Sequence, residues 1–175
     1  NEWWRSLRDG KCFITNGPLI LVDTEGHPPG HTFRYYGKEP LELPVNILLS
    51  TKYPIDYLEI IKNGRTDQTL RLKDYREMSN RGESPIIRFE ESGWFLVRAV
   101  ANDEKTARLA MTAPYYVEIG DKKRISRSAA QFFLDWVTER AKRIEIEDPA
   151  RREAVLKYHR TARDFYQELI DRSTD

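Results

Sequence analysis

The side chains that could carry chemistry are few and scattered. The chain has three histidines and one cysteine among 175 residues. A catalytic metal needs several His, Cys, Asp or Glu side chains converging on one ion. His27 and His31 flank Pro28-Pro29-Gly30. Those prolines break the helical i, i+4 geometry that would aim both imidazoles at one point, so the pair reads as solvent-facing turn residues. His159 lies between Lys157 and Arg160 in a helical stretch and reads as an exposed or stacking residue. The lone Cys12 has no partner for an internal disulfide. No helix start adjoins it, so it reads as an ordinary strand thiol rather than a reactive one. Some carboxylates are adjacent, Glu90-Glu91 and Asp103-Glu104 for instance. Their places at strand ends make them solvated turn acids rather than an acid/base couple. Neither a Gly-x-Ser-x-Gly elbow nor a glycine-rich phosphate loop occurs.

Two surface chemistries are also readable. The aromatics Trp3, Trp4, Tyr35, Tyr36, Trp94, Tyr115 and Tyr116 could stack on sugars, with His27, His31, Tyr35 and Tyr36 as the candidate ligand surface. Aromatics at strand spacing more often fill a core. Lys122-Lys123-Arg124 with Arg127, and Arg151-Arg152, could touch phosphate. They lack interleaved aromatics and any nucleic-acid motif, so they read as solvated charge. The net charge is +1, which gives no global field toward nucleic acid or an anionic membrane. No apolar run has the length of a membrane span, and no signal-peptide pattern is visible. Cytoplasmic and exported locations are both compatible with this composition.

The hydrophobic period switches along the chain from two to 3.6, and that switch divides the molecule. Trp3, Trp4 and Leu7 share a helical face, and Gly10 stands where a left-handed helix stop is expected. The chain opens inside this pattern without an initiator Met, as a piece of something longer would. Strand-like text then runs to about Ile119. The predicted strands are 12–15, 19–22, 32–36, 41–50, 57–62, 65–72, 86–90, 94–101, 107–112 and 115–119. Asn63-Gly64 between two of them predicts a type I′ hairpin. Short strands at this spacing, with no long helix between them, predict an antiparallel β-sandwich, immunoglobulin-like in style. The charged stretch 73–81 fits either a loop or a short helix.

Beyond Gly120 the text turns helical. Ser128 with Gln131 predicts a capping box. Ala129, Phe132, Phe133, Trp136, Val137, Ala141 and Ile144 follow as one apolar stripe. Asp148-Pro149 predicts a second helix start, with a stripe of Val155, Tyr158, Ala162, Phe165, Tyr166 and Leu169. The short link makes the helices antiparallel neighbours. The expected organisation is a helical tail of a preceding domain or linker over 1–10, a sandwich over 11–120 and a helical hairpin over 121–175. That hairpin would pack on the sandwich or on a partner.

One ordered set of residues resembles a known family. Trp4, Leu7, Gly10, Lys11, Phe13, Ile14, Thr15, Asn16, Gly17, Pro18 and Leu19 follow the pattern found just after the catalytic barrel of PHP-type (polymerase-and-histidinol-phosphatase) metallohydrolases, in the branch similar to carbaryl hydrolase. Gly26 with Pro29-Gly30, the run 58–64, the run 92–99, and Ala113-Pro114-Tyr115-Tyr116-Val117 continue it in order, Ala113 departing from the family's glycine. The likeness covers most of 3–117, and the hairpin resembles an extension found in some members. In that family the metal-binding His-x-His and Asp-x-His motifs lie upstream, on the barrel, and neither occurs here. The resemblance therefore implies an accessory, non-catalytic domain that binds no cofactor itself, beside a barrel that binds divalent metal ions. The implied partners are that preceding domain and, through oligomerisation, further copies of the chain. Trp3, Trp4 and Asn16 are the candidate inter-domain contacts. A carbohydrate- or ligand-binding sandwich is the alternative.

Overall fold

The computed structural model describes residues 1–102 and 106–174. The chain divides into two units, Asn1–Lys123 and Arg124–Asp175. The acids Asp103 and Glu104 lie outside the described residues.

The first unit opens with helix α1 (Glu2–Arg8). It ends in a Schellman turn: Gly10 adopts φ +71°, Gly10 N–H donates to Leu7 O and Lys11 N–H to Ser6 O. Eleven strands follow, β1 (Phe13–Thr15), β2 (Leu19–Asp23), β3 (Thr32–Tyr35), β4 (Leu41–Pro44), β5 (Asn46–Ser50), β6 (Ile55–Lys62), β7 (Arg65–Arg71), β8 (Ile86–Phe89), β9 (Gly93–Ala101), β10 (Arg108–Thr112) and β11 (Tyr115–Ile119), with helix α2 (Leu72–Asn80) between β7 and β8.

Strand β9 is the spine of a seven-stranded open sheet. One edge of β9 pairs with β6, which carries β7 as a hairpin partner. Its other edge pairs first with β10 and then with β11. The register advances by one residue at Ala113-Pro114, where proline cannot donate to the ladder. The far edge of β10 takes β1 in antiparallel register. The far edge of β11 takes β3 in parallel register. Strand β3 thus departs from the wholly antiparallel arrangement that the sequence predicts. It follows the long loop after β2 and so can enter from the other direction.

The second layer comprises β2 with β5 and β4 with β8. The expected single strand 41–50 is split at Val45, whose N–H donates to Pro85 O. Ile20, Val22, Leu43, Val45, Ile47, Ile87 and Phe89 face Leu58, Ile60, Phe95, Val97, Ala99 and Tyr115 across the interior. This is a mainly β, sandwich-like unit. The ambiguous charged stretch is helical, because Tyr75 of α2 turns into the same core. At the β6–β7 turn, Asn63 and Gly64 have φ +51° and +84°, as a type I′ hairpin requires.

The second unit holds helices α3 (Arg127–Lys142) and α4 (Pro149–Asp171). Asp148 caps α4 as expected, its carboxylate accepting from Ala150 N–H at 2.8 Å. The expected capping box is displaced. Ser126, not Ser128, is the N-cap and accepts from Ala129 N–H, while Gln131 donates to Asp135. Thr174 N–H donates to Ile125 O, and Ile125 N–H to Thr174 Oγ1, which fixes the antiparallel register. The predicted α3 stripe is only partly the contact surface. Ala130 is buried and Leu134, Val137 and Ala141 are half-buried, whereas Phe132, Phe133 and Trp136 stay exposed. No described helix is long and apolar enough to cross a membrane.

Candidate functional site

Two of the chain's candidate groups meet at one place, where the exit of α1 touches the Pro28-Pro29-Gly30 loop. Gly30 has φ +89°, and a Cβ there would lie 1.9 Å from Asp9 O and 2.9 Å from Gly10 C. Only glycine on both sides lets the two backbones come this close. Gly30 N–H also donates to Pro114 O, and Tyr116 N–H to His31 O. The loop is thus sewn to the β10–β11 bend on one side and clasps α1 on the other. That clasp holds a helix whose two tryptophans are both exposed. Their rings meet edge to face, 4.6 Å between centroids.

The histidines flanking the same loop are not independent solvent-facing residues. Their rings stack with centroids 3.7 Å apart and planes within 5°. The edge of the pair is closed by Phe33, 4.6 Å from His31. Phe33 stacks in turn near Tyr115, and Tyr115 lies on Phe95, so an aromatic chain runs from the loop into the core. Burial, then the neighbouring His27, lowers the His31 pKa from its ordinary value. The Tyr115 hydroxyl donates to Val22 O at 3.0 Å and His27 O at 3.1 Å. Burial raises its pKa well above the usual range, so it acts only as a neutral donor. Sequence patterning assigns Phe33 and Tyr115 no part in positioning the loop. The signal it does contain is an aromatic two residues after His31 on a short strand.

Beside the clasp lies a cleft of about 320 Å³ lined by Lys11, Cys12, Phe13, Ile20, Leu21, Val22, Pro28, Pro29 and Thr112. Cys12 is half-buried in its wall. The lining is apolar apart from Lys11 and Thr112, and it offers no converging acid, base or nucleophile.

The other candidates go elsewhere. Asn16 Nδ2 donates to Ala107 O at 2.7 Å and its Oδ1 accepts from Leu109 N–H at 2.7 Å. Both polar ends of that side chain are committed to the strand beside it. Thr15 Oγ1 accepts from Gly17 N–H at 2.9 Å and donates to Pro18 O, so the Thr-Asn-Gly-Pro turn is a backbone lock. Arg108 completes it, donating to Asn16 O and lying over the Tyr53 ring. Tyr35 covers Gly37, where a Cβ would meet its hydroxyl at 2.0 Å. Tyr36 is exposed and donates to Asp121; that bond, first among its causes, raises the Tyr36 pKa. Of the four residues of the candidate ligand surface, His27 and His31 stack on each other, while Tyr35 lies over Gly37 and Tyr36 is bonded to Asp121. Glu90 and Glu91 are exposed, and Glu90 pairs with Arg88. His159 is half-buried in the groove between α3 and α4. Among the described residues no group of three or more His, Cys, Asp or Glu is placed to hold a metal ion.

The outer face of the large sheet is a third feature. Trp94, Leu96 and Val100 of β9 point outward, half-buried, with exposed Ile14 and Tyr116 on neighbouring strands. In their midst Arg98 Nε donates to Glu59 Oε2 at 2.7 Å, and Glu59 is only 8% exposed.

No family model and no curated protein sequence matches this chain. Among solved structures, the chain is similar to the fibronectin(III)-like modules of Clostridium thermocellum CbhA, at 14% identity and a TM-score of 0.35, over 58% of this chain and 98% of that one. A likeness at that level does not decide a fold; the two layers rest on their own pairings.

Proposed function

We propose that this chain is a non-catalytic docking domain, an immunoglobulin-like sandwich that accompanies the catalytic barrel of a PHP-type metal-dependent hydrolase. The carrying observation is the clasp of Gly30 on Asp9 and Gly10. It gives a short helix a fixed footing on the sandwich while leaving Trp3 and Trp4 uncovered. Isolated seven-residue helices are not stable in water, and two exposed tryptophans on one are costly to hydrate. A rigid mount for them makes sense where they enter another surface, as buried aromatic anchors do at interfaces. The strand arrangement fits the finer fold. Layer β2, β4–β5, β8 lies over layer β7, β6, β9, β10–β11, with β3 running parallel to the last strand.

On this reading the Thr15-Asn16-Gly17-Pro18 lock, the segment that carries the family resemblance, supports the docking domain by fixing the backbone directly behind the clasp. The divalent metal ions and the reaction belong to the preceding barrel. Calorimetry between this chain and a PHP-type barrel lacking its own C-terminal region tests it. Saturable binding is expected, lost in Trp3→Ala/Trp4→Ala. The absence of binding, or an unrelated domain encoded directly upstream of Asn1, would sink the proposal.

A further inference from the structure

The helical hairpin has a second apolar side that its own two helices leave largely uncovered. In α3 the rings of Phe132, Phe133 and Trp136 contact one another in sequence. Phe133 stacks on Tyr166 of α4, which touches Phe165, so the aromatic surface is continuous across both helices. At 100° per residue, Val155, Tyr158, Ala162, Phe165 and Leu169 form one stripe along α4 on that side. Phe132, Trp136, Tyr158 and Phe165 are 64%, 61%, 77% and 53% exposed, and Phe133 is 38% exposed. With aromatic side chains of about 150–250 Å² each, they leave on the order of 600 Å² uncovered. That is as large as the largest apolar patch on a typical monomer.

We propose that this side is the interface for a second copy of the chain, two hairpins closing as an antiparallel four-helix bundle on a two-fold axis. The stripe on α4 reads almost the same in both directions about Ala162. Antiparallel self-pairing centred there sets Val155 level with Leu169 of the second copy and Tyr158 within one residue of Phe165. The small side chain falls at the crossing point, where helices approach most closely. On the rim, Lys157 comes within one residue of level with Glu168 of the second copy, and Thr161 with Asp164, a rise of about 1.5 Å that long side chains span; all four are exposed. The Ile125–Thr174 pairing puts Thr138 of α3 level with the residues around Ala162. An axis through that level brings Arg140 over Trp136 and Arg143 over Phe133 of the second copy, guanidinium on aromatic face. Two such sides remove roughly 1,200 Å² from water, the lower bound of a standard stable interface. An isologous contact needs this self-complementarity, and an unrelated partner does not. The inference is independent of which enzyme the domain accompanies.

Sedimentation equilibrium on the full chain tests it. The expected species is a dimer of the 20.6 kDa chain, and Phe165→Asp is expected to return it to monomer. The deciding comparison is charge reversal at the rim, where folding is not at stake. Lys157→Glu and Glu168→Lys each place two like-charge pairs across the dyad and weaken association about tenfold. The double variant Lys157→Glu/Glu168→Lys restores it. A full chain that stays monomeric at high micromolar concentration overturns the proposal. So does a dimer that survives Phe165→Asp, or a double variant no tighter than the singles.

Discussion

The phenol of Tyr75 closes both backbone hydrogen bonds of Ile47: its O–H donates to Ile47 O at 2.6 Å and its oxygen accepts from Ile47 N–H at 2.8 Å. Ile47 pairs with Val22 on one side only, so its outward N–H and C=O would otherwise be orphaned at the margin of the layer. One side chain from α2 stands in for a missing strand. Tyr75→Phe keeps the ring and removes only that pairing. The expected loss is about 2 kcal/mol, from leaving two buried backbone groups without partners. Urea unfolding checks it: the midpoint falls while the slope, set by exposed area, stays the same.

The Gly30 clasp can be separated from the cost of its backbone conformation. Gly30→Ala suffers both a positive φ and a collision with backbone atoms of Asp9 and Gly10. Gly26→Ala suffers only the first, since φ is +76° and nothing lies within 4 Å of the added Cβ. Left-handed strain alone costs roughly 1–2 kcal/mol, which is the expected loss for Gly26→Ala. Gly30→Ala is expected to lose more and to release α1. The readout is tryptophan anisotropy, dropping for Trp3 and Trp4 in Gly30→Ala and unchanged in Gly26→Ala, with both Trp94 and Trp136 replaced by Phe.

How much of this was legible in the sequence depends on the range of the forces involved. Asn63-Gly64 and Asp148-Pro149 were readable because the preference resides in the residues that turn or cap. The α3 cap lies two positions from the expected one because Ser126 and Ser128 are both competent caps. The choice fell to Ser126, whose backbone is extended at φ −77° and ψ 117°. Periodicity showed an apolar arc on α3 without telling which part meets α4, since a wide arc serves two contacts equally well. The parallel β3–β11 pair, the Tyr75 anchor and the Gly10–Gly30 contact are long-range, and one chain's local pattern carries no signal for them. For the candidate site, the residue types were visible but their partners were not. Asn16 is one of the candidate inter-domain contacts, and its side chain is bound at both ends by β10 and the residue before it.

The ion pair on the outer sheet face is a constraint rather than a simple gain. The Glu59 side chain is 10% exposed and that of Arg98 34%, and Thr66 Oγ1 adds a weak third contact to Glu59 at 3.4 Å. Removing only the cation leaves a buried carboxylate without compensation, whereas removing both charges leaves packed apolar surface. Arg98→Leu is expected to cost about 2–3 kcal/mol, the half-exposed rim of the pair keeping it below a fully buried case. Glu59→Leu/Arg98→Leu is expected to recover most of that. A double-mutant cycle measured by urea unfolding gives the coupling directly; additive losses would show that the pair contributes nothing jointly.

The stacked histidines predict a stability that declines in mild acid. In the folded chain the His31 pKa is lowered, first by burial and then by the charge on His27 across the stack. The unfolded chain, with an ordinary histidine value near 6.5, therefore binds more protons over the window between the two. Stability rises with pH wherever the unfolded state holds more protons. The contribution is thus intact above about pH 6.5, and it is lost as pH falls through that value toward the lowered folded one. Phe33 and the Tyr115 bond to His27 O tie the loop to the core, so the loss is expected to appear in global unfolding and not only as local fraying. His31→Gln removes the half-buried imidazole and is expected to flatten the melting temperature between neutral pH and about pH 5, relative to the parent chain. A parent melting temperature that is already flat across that range, or an identical slope in His31→Gln, would show that the stack does not couple protonation to folding.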